Sequence, residues 1–359
     1  MESSPSQAAS SNPAAEQRLP LVFTGSARAY FQIWVVNILL TVVTLGIYSA
    51  WAKVRRMQYF YGNTKLEGDG FSYTASPIAI LKGRLIAVAL MLTVGLAGQF
   101  AGPWMQGALF LLLLVASPWL MVAALRFHAR VTLWRNVPFR WTGSYADVFK
   151  AYVLWRIAAV LTLGALFPFA ARAIRRAQVN HLWFGTSRFK ADPPVRPFYA
   201  ALFVAAALVI GGTLGAVISA PAVLALSRAV SPHDGFAFVV PGVWILLCAG
   251  LGFLLASSWF AAAARNATLN ALQLEHGHRF EGNLSEMRFA WIRVSNVLAI
   301  VASLGLLIPW AAVRSWRYDV ESVAMLPAGS LDQFMGEQTG PGGAFGAELG
   351  GFQGVDIGV

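Results

Sequence analysis

Of the 359 residues, 57% are hydrophobic and 12% are charged, with 27 Lys and Arg against 16 Asp and Glu and a formal net charge of +11. Soluble domains carry roughly 25% charged residues, so with a mean hydropathy of +0.59 this composition excludes a chain solvated by water as one globule. The positive charge argues against a nucleic-acid partner because of where it sits. Basic residues cluster beside apolar runs, at Lys53, Arg55 and Arg56, at Arg126, Arg130 and Arg135, at Arg172, Arg175 and Arg176, and at Arg314 and Arg317, as positive-inside residues and anionic-lipid contacts do.

In chain order, residues 1–20 are rich in Ser, Ala, Pro and Gln, lack the apolar core of a signal peptide, and read as a disordered tail. Seven apolar segments follow: Tyr30–Ala50, Leu85–Gly102, Gln106–Phe127, Val148–Ala171, Phe198–Ser219, Val239–Phe260 and Phe289–Ala312. The windows Leu85–Leu125, Phe198–Leu226 and Phe236–Ala264 hold no ionised side chain, and about 20 residues cross the hydrocarbon core. The lone cysteine, Cys248, lies in an apolar run, so no intrachain disulfide is available. From residue 326 the chain is Gly-rich and mildly acidic, with Asp332, Glu337, Glu348 and Asp356, and reads as a second disordered tail.

A motif recurs three times along these segments. Gly25 precedes Thr44-Leu45-Gly46, Trp51-Ala52 and Arg55; Gly143 precedes Thr162-Leu163-Gly164, Phe169-Ala170 and Arg172; Gly282 precedes Leu304-Gly305, Trp310-Ala311 and Arg314. The aromatic residue lies five positions after the Leu-Gly glycine each time. The recurrence divides the chain into unit 1 (residues 21–137), unit 2 (138–277) and a truncated unit 3 (278–325). The expected fold is an all-α polytopic membrane protein, a helical bundle of about seven apolar segments built from internal repeats. Short alternating stretches around Phe23, Phe71, Phe139 and Phe280 predict strands or turns at the membrane surface, capping the bundle.

Charge leaves two topologies open. The connections Trp51–Arg84, Arg126–Lys150 and Arg172–Arg196 are all basic, which places both ends of Val148–Ala171 on the cytoplasmic side. Either the motif-bearing segment turns at Leu-Gly and returns as a re-entrant pair, or it crosses and successive units are inverted. Basic ends in the same register favour the first.

Candidate functional residues fall in three groups. Asn37 and Asn296 both lie nine residues before the Leu-Gly glycine; they either bond a neighbouring helix or line a solute path. Arg156, inside an apolar segment without an acidic partner, fits a buried structural bond or an anion or headgroup site. Trp51, Arg55 and Tyr59 repeat as Trp310, Arg314 and Tyr318 with identical spacing. They read as an interfacial anchor or as a site for anionic headgroups. No nucleophile–base, phosphate-loop, dinucleotide or metal-ligand pattern is present, the only His cluster being His276 and His278 beside Glu275. The expectation is therefore a non-enzyme with no cofactor and no metal.

The run Asn37, Thr44 through Tyr48, Trp51 through Arg55, Tyr59, Asn63-Thr64, Gly68 and Phe71-Ser72-Tyr73 resembles the YjgN family of bacterial inner-membrane proteins, over roughly residues 20–325. Unit 2 departs from the pattern, with Phe169 where Trp is expected and Trp155 in place of Asn. The resemblance implies a multi-pass inner-membrane location and brings no activity, ligand or catalytic residue. Two functions remain as expectations. One is transport or channel-like passage of a small solute between repeats. The alternative is a non-transporting membrane scaffold that binds anionic lipid headgroups, in either case with a homo-oligomer as an open arrangement.

Overall fold

The computed structural model describes residues 18–100, 102–230 and 239–339. In chain order its elements are β1 (Leu19–Phe23), α1 (Ala27–Val43), α2 (Ser49–Gly62), β2 (Thr64–Leu66), β3 (Asp69–Tyr73), α3 (Pro77–Phe100) and α4 (Pro103–Arg130). Next come β4 (Thr132–Trp134), β5 (Val137–Trp141), α5 (Tyr145–Phe149), a π-helical turn at Lys150–Leu154, α6 (Trp155–Leu161), α7 (Phe167–Val179), β6 (Leu182–Phe184) and β7 (Ser187–Ala191). The chain continues through α8 (Arg196–Val230), α9 (Val239–Asn270), β8 (Leu272–Leu274), β9 (His278–Gly282), α10 (Glu286–Ala302), α11 (Ile308–Glu321), β10 (Val323–Leu326) and α12 (Leu331–Thr339).

Ten short antiparallel strands close into one barrel, in the order β1-β10-β9-β8-β7-β6-β5-β4-β3-β2 and back to β1. The connections alternate. Tight turns join β2 to β3, β4 to β5, β6 to β7 and β8 to β9, while helical hairpins make the five other sequential links. An antiparallel meander wired this way puts every helical hairpin at one end of the barrel and every tight turn at the other. Turn chemistry agrees: Glu67 and Gly68, and Arg135 and Asn136, all have positive φ, the conformation that two-residue hairpins demand at both central positions, and the three-residue β8–β9 loop has positive φ at His276 and Gly277.

Register explains what fills the barrel. Each helix-linked strand pair sets an apolar residue opposite another: Leu21 with Leu66, Phe71 with Trp134, Phe139 with Phe184, Phe189 with Leu274, and Phe280 with Met325. These residues belong to one packed core, which α12 completes with Leu331, Phe334 and Met335. Helix α12 lies at the tight-turn mouth. Gln338 Oε1 accepts from the Thr186 amide at 2.8 Å, and its Nε2 donates to Ser187 Oγ at 2.9 Å. Arg135 of the β4–β5 turn pairs with Asp332 at 3.0 Å. The stretch expected to be disordered from residue 326 thus begins with a helix that seals the barrel. Residues 1–17 and 340–359, including Glu348 and Asp356, lie outside the described residues.

The expected all-α bundle of about seven apolar segments is overturned in two respects: the core architecture is this closed barrel, and among the described residues four helices, not seven, are long and apolar enough to cross a membrane. They are Pro77–Ala97, Trp104–Arg130, Arg196–Val230 and Val239–Asn270, with at most 17% of the apolar window buried within the chain, so their surfaces suit lipid. The alternating stretches expected as surface pieces are strands of the barrel. With only 3–5 residues per strand, the periodicity signal is weak, and closure pairs residues as distant as Leu19 and Met325, which no local pattern reveals. The remaining apolar segments are the three short hairpins α1/α2, α5–α7 and α10/α11, which leave and rejoin the barrel at the same end. The 17 residues of α1 reach only about 25 Å.

Gly211-x-x-x-Gly215 reads as a close-packing motif, but a Cβ added at either glycine would meet nothing within 4 Å. The close approach of α8 and α9 is one residue on. A Cβ on Gly212 would stand 3.4 Å from Gly252 Cα, and one on Gly252 would stand 3.1 Å from Leu208 O.

Candidate membrane-facing site

The three short hairpins end in the same turn. Leu45, Leu163 and Leu304 have φ of 51, 50 and 49°, and the glycines after them 93, 92 and 93°. Left-handed backbone costs an L-residue about 1–2 kcal/mol, which glycine avoids at the second position. The turn reverses the chain while keeping its amides bonded. Gly46, Gly164 and Gly305 donate to Thr41 O, Ala159 O and Ile300 O at 2.7, 2.7 and 2.8 Å. Thr44 Oγ1, Thr162 Oγ1 and Ser303 Oγ then accept from Tyr48, Leu166 and Leu307 amides at 2.9, 3.2 and 3.0 Å. The first residue of each turn therefore closes one helix and caps the next, a role the motif's spacing left unnoticed. The hydroxyl at that position, Thr44, Thr162 or Ser303, was its signal.

Satisfied amides lower the cost of bringing the turn to the edge of a solvent that offers no hydrogen bonds. The side chains fit the same solvent: Leu45, Leu163 and Leu304 are 94%, 98% and 95% exposed, beside exposed Val43, Leu161 and Leu306. About one and a half to two and a half turns into the second helix of each hairpin come the basic residues, Arg55 and Arg56, Arg172, Arg175 and Arg176, and Arg314 and Arg317. Apolar tip followed by arginine and aromatic belt is the order of groups met on passing from hydrocarbon into headgroups.

The two Trp-Arg-Tyr faces resolve into separate roles. Tyr59 OH accepts from the Ser26 amide at 2.7 Å and donates to Ser26 O at 2.7 Å; Tyr318 OH makes the same pair with Ser285 at 3.0 and 3.3 Å. Both tyrosines therefore lock the hairpin base to the cap of its first helix. Trp51 is half-buried against Ala50 and Val54 and stacks with Tyr48 at 6.1 Å. Trp310 carries the Arg314 guanidinium over its ring at 5.1 Å.

Asn296 is buried among polar partners. Its Nδ2 donates to Ser315 Oγ at 2.8 Å and Ala311 O at 3.2 Å, and its Oδ1 accepts from Arg314 at 3.1 Å; Arg314 also donates to Ser295 Oγ at 2.7 Å. Asn37, equally buried at 6% exposure, has an Oδ1 with no partner. Arg55 is exposed and lies over the Tyr48 ring at 5.8 Å. Arg156 is exposed too, over the Tyr152 ring at 5.7 Å. The structure thus joins Asn296 to Arg314, leaves Asn37 and Arg55 without a bond to each other, and places Arg156 in a different hairpin.

At the far mouth, His278 is buried and its Nδ1 accepts from the Ala328 amide at 3.2 Å, next to the Phe334 ring at 4.7 Å. Burial first, and the charge of His276 second, push its pKa below 6.5. Accepting at Nδ1 requires the neutral ring, so this contribution is whole above the unfolded value of about 6.5. It declines as pH falls through that value toward the lower folded one. The protection factor of the Ala328 amide, its exchange rate relative to the intrinsic rate at each pH, is expected to fall from pH 7.5 to pH 5.5, and His278→Gln to remove that pH dependence.

A helical membrane protein mounted on a small barrel, with four spanning helices and three hairpins too short to span, is the class this arrangement defines. The chain belongs to the bacterial protein family of unknown function DUF898, whose model matches residues 18–352. It is similar to inner membrane protein YjgN of Salmonella typhimurium, 26% identical over 82% of this chain and 85% of that protein. It is also similar to the proteins of that name in Escherichia coli O157:H7 and K12, each 31% identical over 41% of this chain and 37% of theirs. No solved structure matches. These relatives and the four apolar helices make it a multi-pass protein of the bacterial inner membrane.

Proposed function

We propose that this protein is a non-transporting scaffold that wedges its three short hairpins into one leaflet of the inner membrane and grips anionic headgroups with the arginines behind them. The observation that carries this reading is the exposed Leu-Gly turn at all three tips, its amides bonded within the hairpin. We take the three hairpins to be copies of one unit. A solute path is the less favoured reading for two reasons. The barrel interior is packed with aromatic side chains and sealed by α12, and Asn296 is committed to Ser315 and Arg314. The reading involves no catalysis and no cofactor.

Spin labels at positions 45, 163 and 304, in protein reconstituted into phosphatidylethanolamine–phosphatidylglycerol vesicles, test the wedge. Collision with dissolved oxygen in preference to an aqueous nickel chelate is expected at all three. Preferential collision with the chelate overturns the reading. Release of trapped ions or small dyes above the protein-free rate would restore transport.

A further inference from the structure

Hairpins α1/α2 and α10/α11 correspond residue for residue, yet their arginines behave differently. Arg314 folds inward onto Asn296 Oδ1 and Ser295 Oγ. The positions of Ser295 and Ser315 hold Val36 and Arg56 in the first hairpin, so of the two acceptors that hold Arg314 only the amide oxygen has a counterpart, on Asn37, and Arg55 does not bond it. It stays exposed on the wall of an open groove of about 490 Å³, lined by Gln32, Ile33 and Val36 of α1 and Arg55, Gln58 and Tyr59 of α2. Asn37 lies behind the lining residues, four positions after Ile33 on the same helix face. Its Oδ1 is buried without a donor, and an unmet buried acceptor costs about 1–3 kcal/mol.

We propose that this groove binds the headgroup of an anionic phospholipid that carries a free hydroxyl, with Arg55 on the phosphodiester and Asn37 Oδ1 accepting from the hydroxyl. The chemistry follows from the two unmet groups: a guanidinium pairs best with a phosphate, and a carbonyl oxygen needs a donor. Depth agrees. Arg55 lies six residues from the start of α2, about 9 Å along the helix from that start and farther from the apolar tip, where headgroups begin if the tip sits in hydrocarbon. The proposal rests on the wedge reading for the presence of lipid at that level, and it adds a specific, one-hairpin site to a general affinity for anionic surfaces. The third hairpin, with Arg314 and Asn296 already satisfied by each other, has no such site.

Native mass spectrometry of the full chain in detergent tests the site with three probes: phosphatidylglycerol, phosphatidylethanol (a phosphodiester without a hydroxyl) and inorganic phosphate. Wild type is expected to retain phosphatidylglycerol several-fold better than phosphatidylethanol. Arg55→Gln is expected to weaken both lipids about tenfold, the loss of one charge-assisted contact, and Arg55→Lys to recover part of it. Asn37→Leu, close in volume, is expected to abolish only the preference between the two lipids, and Arg314→Gln to change neither. Unaltered binding by Arg55→Gln, equal retention of the two lipids by wild type, or displacement of lipid by millimolar inorganic phosphate would each overturn the proposal. A thermal midpoint within error of wild type shows that a variant is folded. If tip labels are water-accessible while Arg55→Gln loses lipid, the wedge fails and the site stands. Buried tips with lipid binding unaffected by Arg55→Gln sink the site alone.

Discussion

Replacing Phe334 with Ala is expected to destabilise the protein by about 3–5 kcal/mol, the range for emptying a large aromatic site in a packed core. Phe334 is 4% exposed and inserts between Phe184 at 6.2 Å and the rings of His276 and His278 at 5.9 and 4.7 Å. Its loss leaves a void at the tight-turn mouth and weakens the seat of α12. Deleting residues 327–359 should cost more. That change also takes away Gln338, stranding the Thr186 amide and Ser187 Oγ, and Asp332, one of three carboxylates around Arg135. Thermal unfolding in detergent, read alongside exchange of the barrel amides, measures both. Wild-type stability in the deletion would show that α12 is dispensable to the barrel.

The second large effect is expected at Phe60, 2% exposed, where α1, α2 and α11 converge on the seam between β1 and β10. Its ring contacts Phe23, Tyr30 and Trp316 at centroid distances of 5.9, 4.8 and 4.9 Å, and Trp316 Nε1 donates to Thr64 Oγ1 at 3.0 Å. This cluster ties the first hairpin to the last, across more than 250 residues of chain (|i−j| of 252 for the Trp316–Thr64 bond). Phe60→Ala should therefore also cost about 3–5 kcal/mol and loosen closure. The expected signature is faster amide exchange in β1 and β10 than in β5 and β6. Uniform protection around the barrel would contradict it. Phe60→Leu keeps most of the volume and should recover most of the stability.

Much of the membrane-facing part is legible in the sequence. The apolar segments, the Leu-Gly pairs and their basic flanks are local patterns, and the structure turns the chain at those glycines. What the sequence conceals is long-range. Strands of three residues such as Thr64–Leu66 and Leu182–Phe184 are too short for alternation to stand out. The closure of β1 on β10 has no local signature at all. Composition also misleads at the C-terminus: Gly and acidic residues signal disorder on average, yet Leu331, Phe334, Met335 and Gln338 follow helical spacing and fill the barrel mouth. At the candidate site, spacing made Trp, Arg and Tyr one group. In the structure the tyrosine hydroxyls are occupied by backbone groups of Ser26 and Ser285, and only the arginines are left with charge to offer. The difference between Arg55 and Arg314 depends on Val36 and Arg56 standing where Ser295 and Ser315 stand, a contrast visible only once the helices are paired.

One barrel, on one side of the membrane, is the base from which every hairpin departs and to which it returns. Thiol accessibility tests this most directly. In a Cys248→Ser background, single cysteines at Lys65 on β2 and Arg188 on β7 would be treated with a membrane-impermeant reagent in intact and lysed cells. Both sites should be shielded until lysis, the outcome expected of a barrel on the cytoplasmic side of the basic connections and of short hairpins that do not cross. Labelling of one site but not the other in intact cells would put the two strands on opposite sides of the membrane, which a single closed barrel cannot accommodate.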